Sequence, residues 1–205
     1  MKALLLVGSP RQKGNSAKLG NALLTELNSL GAETQTIYLA QSLKTWEKVA
    51  AGVAWTDLLV LSVPLYVDTL PAPATEALTR LADKAAGKKL AVIINCGYPE
   101  VSQNLTALRI CQQFAREAGC EWVGALALSM GGYSFGKGLS RPVVKAMKLS
   151  AQALSQGQPI PERAVTLAAR LPMPKWLYLL VLNRTFKRIV TKHGKAPIDA
   201  RPYRD

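Results

Sequence analysis

Five short runs, each followed by a stretch of helical periodicity, constrain this chain more than any other feature of its sequence. The runs are Lys2–Val7, Glu33–Leu39, Asp57–Val63, Lys88–Asn95 and Glu121–Ser129. Lys2–Val7 and Asp57–Val63 are almost wholly apolar, which suits a strand covered on both faces, while Glu33–Leu39 draws on Thr, Ile and Tyr. Between the runs the apolar period changes to that of a helix. Asn15–Leu30 spaces Leu19, Leu23, Leu27 and Leu30 along one face and stops at Gly31. Residues 40–56 are a weaker helical stretch. A third helix starts near Pro71, a residue tolerated in a first turn, and turns Leu78 and Leu81 inward. Ser102–Ala118 carries Leu105, Leu108 and Phe114, and Ser140–Leu154 carries Val144, Met147 and Ala151.

Strands joined by helices rather than tight turns must run parallel, because a right-handed crossover helix returns the chain to a parallel neighbour. The expected fold is therefore α/β: a doubly wound, five-stranded parallel sheet in the order 2-1-3-4-5. Ligands of such sheets lie at the carboxyl ends of the strands where the order reverses. That places the loops after strands 1 and 3 first in line for chemistry.

The chain of 205 residues divides by texture into an α/β domain over residues 1–157 and a basic helical C-terminal extension over residues 158–205. Pro159, Pro161, Pro172 and Pro174 punctuate the change. Trp176–His193 then reads as one amphipathic helix with Leu179, Leu182, Phe186, Ile189 and Val190 on a face and Arg184, Lys187, Arg188 and Lys192 mostly off it. The formal charge of +13 is concentrated here, since residues 161–205 carry ten Lys and Arg against three Asp and Glu. An anionic partner is one explanation, whether membrane lipid, nucleic acid or a partner subunit, with nucleic acid the least expected; a solvated basic helix is the other. The apolar face of residues 173–193 has to be covered. Packing on protein is the expectation, and contact with a membrane surface the alternative.

Several function classes drop out. The only histidine is His193, and Cys96, Cys111 and Cys120 form no C-x-x-C pair, so zinc ligands and a disulfide framework are lacking and no metal is expected. A histidine-based triad would have to use His193. The N-terminal apolar run is too short for a signal-peptide core, and no run reaches the roughly 20 residues of a bilayer span. The expectation is a cytoplasmic protein with reduced thiols.

Strand 1 runs into Gly8-Ser9-Pro10-Arg11-Gln12-Lys13-Gly14-Asn15-Ser16, which opens directly into a helix. Hydroxyls, an amide and cations here join the unpaired N–H groups and positive dipole end of a helix N-terminus, a setting suited to phosphate. The loop is neither Gly-x-Gly-x-x-Gly nor a Walker loop, which argues against a dinucleotide-binding Rossmann domain and a P-loop ATPase. A plain cap, with Asn15 as N-cap, is the competing reading. The segment after strand 3 is Pro64-Leu65-Tyr66-Val67-Asp68, and after strand 4 it is Cys96-Gly97-Tyr98-Pro99-Glu100. Met130–Gly136 follows strand 5 as a glycine-rich aromatic loop, a lid or a subunit contact.

Gly8, Ser9, Arg11, Asn15 and Ser16 match the phosphate loop Gly-Ser-x-Arg-x-x-(x)-Asn-Ser of the NADPH-dependent FMN reductases, and the chain resembles that family of the flavodoxin-like superfamily. The resemblance implies a flavodoxin-like fold over about residues 1–157 and FMN as cofactor, with Ser9, Arg11, Asn15 and Ser16 on its phosphate. It places Pro64, Leu65, Tyr66 and Val67 along the flavin ring, and Cys96, Gly97 and Tyr98 in a second ring-facing loop, where the family often shows a run of glycines that this chain lacks. Cys96 itself reads more simply as a buried strand-end thiol. The implied activity is hydride transfer from NAD(P)H through FMN to a small-molecule acceptor, with a quinone, an azo or nitro compound, free flavin and a metal ion all left open. No protein nucleophile is required, and no catalytic residue is assigned. A homodimer with the flavin cleft at the subunit boundary is implied by the same likeness. The rival readings are a flavodoxin-like FMN electron carrier and a non-enzymatic membrane-surface or interaction protein on the same fold.

Overall fold

In the computed structural model, residues 1–130, 138–171 and 173–194 are described. Five strands form one parallel sheet in the order β2-β1-β3-β4-β5: β1 (Lys2–Val7), β2 (Glu33–Tyr38), β3 (Leu58–Pro64), β4 (Lys89–Asn95) and β5 (Glu121–Leu128). The helices of the first compact unit are α1 (Asn15–Ser29), α2 (Leu39–Ser42), α3 (Trp46–Trp55), α4 (Ala72–Leu81), α5 (Leu105–Glu117), α6 (Arg141–Ser155) and α7 (Glu162–Ala169). Short 3₁₀ turns at Leu43–Thr45 and Val101–Asn104 precede α3 and α5. The chain has the flavodoxin-like fold.

The central strands β1, β3 and β4 are buried on both faces, as continuous apolar strands demand. One face joins Ala3, Leu5, Val7, Val60 and Ile93 to Leu19, Leu23 and Leu27 of α1 and Met147, Ala151 and Leu154 of α6. The other joins Leu4, Leu6, Leu59, Leu61, Val92 and Ile94 to Val49 and Val53 of α3, Leu78 and Leu81 of α4 and Phe114 of α5. Alternate residues of each strand thus feed opposite layers, and each fully buried Leu is worth about 1.5–3 kcal/mol.

Three helical faces differ from the sequence expectation. Leu30 lies just past the end of α1 and is exposed, because the helix ends at Ser29 and Gly31 takes a left-handed φ of +85°. In α5 the buried stripe is Ala107, Cys111, Phe114 and Ala115, while Leu105 points to solvent. In α6 it is Val143, Ala146, Met147, Ser150, Ala151 and Leu154, with Val144 on the rim.

Two compact units divide the chain at Met1–Pro172 and Met173–Asp205, whereas the sequence texture divides it at 157/158. The first unit reaches further because the Ile160 N–H donates to the Val123 carbonyl at 2.7 Å and brings Ile160 over β5. Gly124 accommodates it: φ there is +115°, and a Cβ would stand 3.0 Å from that of Ile160. Ala164 and Ala168 of α7 are then buried in the same layer as α6. The second unit, described by itself, is the single helix α8 (Lys175–His193). No described helix is long and apolar enough to cross a membrane.

Candidate functional site

The strand registers bring the carboxyl ends of β1, β3 and β4 side by side. Val7 pairs with Ser62 and Pro64 with Asn95. Each ladder extends one bond into its loop: Gly8 N–H to the Ser62 carbonyl at 2.9 Å, Leu65 N–H to the Asn95 carbonyl at 2.8 Å, and Cys96 N–H to the Leu128 carbonyl at 3.1 Å. The three loops therefore leave the sheet from fixed points, at the place where strand order reverses. Gly8 has to be glycine, because a Cβ there would stand 2.7 Å from Val63 Cγ1 and 2.8 Å from Ala74 Cβ.

From Gly8 the chain turns up and over into α1. Ser9 is buried and its Oγ accepts the Arg11 N–H at 3.1 Å, which closes the turn. The N-cap of α1 is Gly14 in extended conformation rather than Asn15, and no side chain caps the helix. Its first turn holds no acidic residue. The positive end of a 15-residue helix is thus open toward the loop.

Ser16, only 1% exposed, is held from two sides. Ser62 Oγ donates to the Ser16 carbonyl at 2.7 Å, and Asn95 Nδ2 donates to Ser16 Oγ at 2.9 Å and to the Val63 carbonyl at 2.9 Å. The carbonyl of Val63 fixes the orientation of the Asn95 amide, since only its nitrogen donates. Ser16 Oγ consequently accepts from Asn95, and its own proton is free to be donated elsewhere. Asn95 ties the first turn of α1 to the carboxyl end of β3.

A cleft of about 400 Å³ opens here, lined by Ser9, Arg11, Lys13, Gly14, Asn15, Ser16, Lys18, Pro64, Tyr66 and Asn95. Its size falls within the range of small-molecule sites. Arg11, Lys13 and Lys18 line it and no carboxylate does. On the open side, Tyr66 and Thr69 exchange backbone hydrogen bonds at 3.0 and 3.1 Å across a turn in which Val67 and Asp68 have φ of +47° and +60°. A β-branched residue is rare in the left-handed region, so the turn holds Val67 in a costly conformation. Val67 is 96% exposed and Tyr66 42%.

Of the residues the sequence singles out, Ser9, Arg11, Asn15, Ser16, Pro64 and Tyr66 line this cleft together. Leu65 packs against the core and Val67 stands at the turn tip, neither of them in the lining. Cys96 lies outside it: its side chain is buried, with Sγ 3.6 Å from the Tyr98 carbonyl and 3.7 Å from that of Leu128, and Asn104 Nδ2 donates to it. Burial pushes its thiol up, against smaller opposing hydrogen bonds, so its side chain pins a loop rather than presenting a thiolate. Gly97 and Tyr98 are exposed beyond it, outside the lining, and the Met130 N–H donates to the Tyr98 carbonyl at 2.9 Å. The lid or contact expected at Met130–Gly136 lies outside the described residues from Gly131 on, as does the side chain of His193. Sequence reasoning missed Asn95 and Ser62, whose signal was a polar residue near the end of an otherwise apolar strand, and left Lys13 and Lys18 unassigned. Among the described residues no His, Cys, Asp or Glu cluster could hold a metal ion.

The donor set fits a phosphate monoester: two buried hydroxyls, three cations and an open helix N-terminus with no competing carboxylate. Tyr66 and Pro64 border it with surface suited to a planar ring. Comparison with known proteins bears on the same point. The sequence model for NADPH-dependent FMN reductases matches residues 1–134. No curated protein matches in sequence. Among solved structures, the apo form of the NADH:FMN oxidoreductase EMOB superposes with a TM-score of 0.66 at 15% identity, over 85% of this chain and 98% of its own. A flavodoxin from Streptococcus pneumoniae TIGR4 gives 0.60 at 16% identity, over 77% of this chain and 99% of its own. An azoreductase from Bacillus anthracis str. Sterne gives 0.54 at 15% identity, over 77% and 99%. At these identities the structures attest the fold, and the match over residues 1–134 attests the family. The chain belongs to the NADPH-dependent FMN reductase family and is an FMN-dependent oxidoreductase that draws on NAD(P)H.

Proposed function

We propose that the cleft at the ends of β1, β3 and β4 holds FMN and serves a small-molecule electron acceptor that binds after the nicotinamide has left. The observation that carries this reading is the acid-free lining of Ser9, Arg11, Lys13, Asn15, Ser16 and Lys18 at an uncapped helix N-terminus. Ser9 and Ser16 would donate hydroxyls to the phosphate, Asn15 its amide, and Arg11 a planar fork suited to two oxygens. Pro64–Val67 would border one edge of the ring, with Tyr66 adding about 0.5–1.5 kcal/mol of stacking, and the Cys96–Tyr98 loop another edge. FMN held there would supply two-electron redox chemistry between NAD(P)H and the acceptor. This chain contributes position and electrostatics. The working form that the family likeness implies is a homodimer.

Steady-state oxidation of NADPH by the purified, FMN-loaded protein tests the reading against a panel of a quinone, an azo dye, a nitroaromatic and free flavin. One or more acceptors should support turnover that requires FMN, with parallel double-reciprocal lines. Turnover with none, combined with efficient reduction by a separate flavoprotein reductase, would make the chain an electron carrier.

A further inference from the structure

The helix α8 has a composition its oxidoreductase role does not use. Lys175, Arg184, Lys187, Arg188 and Lys192 lie on it, and no Asp or Glu occurs between Glu162 and Asp199. At 100° per residue, Tyr178, Leu179, Leu182, Phe186, Ile189 and Val190 fall in an arc of about 120°, and Arg184, Lys187, Arg188 and Lys192 in the opposite one. The N-terminal half is apolar nearly all round, from Trp176 to Leu182. None of its described side chains is buried: Trp176 is 68% exposed, Leu180 60%, and Phe186 and Ile189 50% each.

An apolar arc left this bare needs a cover, and the charge says which kind. A second α8 would bring five like charges against five, since the helix holds no carboxylate to pair with them. The cover has to be apolar below and anionic at its rim, with a boundary where Trp176 and Tyr178 are at home. The surface of an anionic phospholipid bilayer has all three properties. The helix spans about 28 Å, and its cationic arc excludes a transmembrane course. We propose that α8 docks the protein on anionic membranes, lying in the interface plane with Leu179, Leu182, Phe186 and Ile189 among the acyl chains and Arg184, Lys187, Arg188 and Lys192 toward lipid phosphates. Docking would bring the oxidoreductase to acceptors dissolved in the bilayer.

The test is co-sedimentation of the full-length, FMN-loaded protein with vesicles, once with 30 mol% phosphatidylglycerol in phosphatidylcholine and once with phosphatidylcholine alone (about 0.1 M salt, where screening is partial). Binding is expected on the anionic vesicles only, and should fall as salt is raised. The double variant Arg184→Gln, Arg188→Gln should bind roughly thirtyfold more weakly at low salt, and Phe186→Glu should lose binding. Both should keep the flavin spectrum of the parent, which shows that the first unit is intact. Failure to bind anionic vesicles would overturn the proposal, as would equal, salt-insensitive binding to neutral ones. So would a dimer that Phe186→Glu converts to monomer, because the arc would then be a subunit contact.

Discussion

Replacing Asn95 with Asp changes two atoms' chemistry and almost no volume, so its effect can be worked from the hydrogen bonds alone. Asn95 Nδ2 now donates to Ser16 Oγ and to the Val63 carbonyl, both at 2.9 Å. A carboxylate donates to neither. The Val63 carbonyl would lose a partner in a buried site, at about 1–3 kcal/mol of stability. Ser16 would turn its hydroxyl proton onto the new carboxylate and away from the cleft. A hydrogen bond to a charged group is worth about 1.5–3 kcal/mol, which is roughly a 10- to 150-fold loss of FMN affinity before any repulsion between carboxylate and phosphate is added. Fluorescence titration with FMN and with riboflavin separates the causes, since riboflavin shares the ring and lacks the phosphate. Asn95→Asp should weaken FMN strongly and riboflavin little, collapsing the preference of the parent for FMN. An unchanged preference would refute the role given to Asn95 and Ser16.

Other substitutions probe the phosphate loop, the turn at Val67 and the core. Ser16→Ala should weaken FMN binding in a titration, through loss of one hydroxyl donor, while the far-ultraviolet dichroism stays native. Val67→Asn should stabilise the apoprotein by about 1 kcal/mol in urea unfolding, because Asn accepts the left-handed backbone at φ +47° that Val resists, and the exposed valine side chain gives up no packing. Gly8→Ala should cost about 1–3 kcal/mol, as its Cβ must displace Val63 or Ala74. Burial pushes the Cys111 thiol up to about 12. The unfolded chain therefore ionises this thiol first, and stability should fall as pH rises from about 9 toward 12, by up to 1.4 kcal/mol per pH unit from this group. Cys111→Ala should show the shallower decline of melting temperature over that window.

Most of the sheet was legible because both its faces are buried, and strands such as Leu58–Pro64 have no choice but to be apolar throughout. The helix phases were harder. Leu105 looked like core, but the 3₁₀ turn at Val101–Asn104 delays α5, and the small residues Ala107, Cys111 and Ala115 face the sheet instead. The eight residues of α7 gave no signal: prolines flank them, and Ala164 and Ala168 are too small to mark a stripe. The phosphate loop was readable in sequence because its chemistry is carried by consecutive residues. Asn95 and Ser62 come from distant strands, and only the register brings them to Ser16. The turn at Val67 had no Gly or Asn at the position that needs left-handed backbone, so nothing local announced it.

The proposed binding of FMN in this cleft, for reduction by a nicotinamide nucleotide, has one direct test. An anaerobic absorbance titration of the FMN-loaded protein with NADPH, and separately with NADH, tests it in one cuvette. A protein-bound flavin spectrum is expected, with a visible band that bleaches stoichiometrically with at least one nucleotide and returns when an acceptor is admitted. A protein that takes up no FMN, or bound FMN that neither nucleotide reduces, would contradict it.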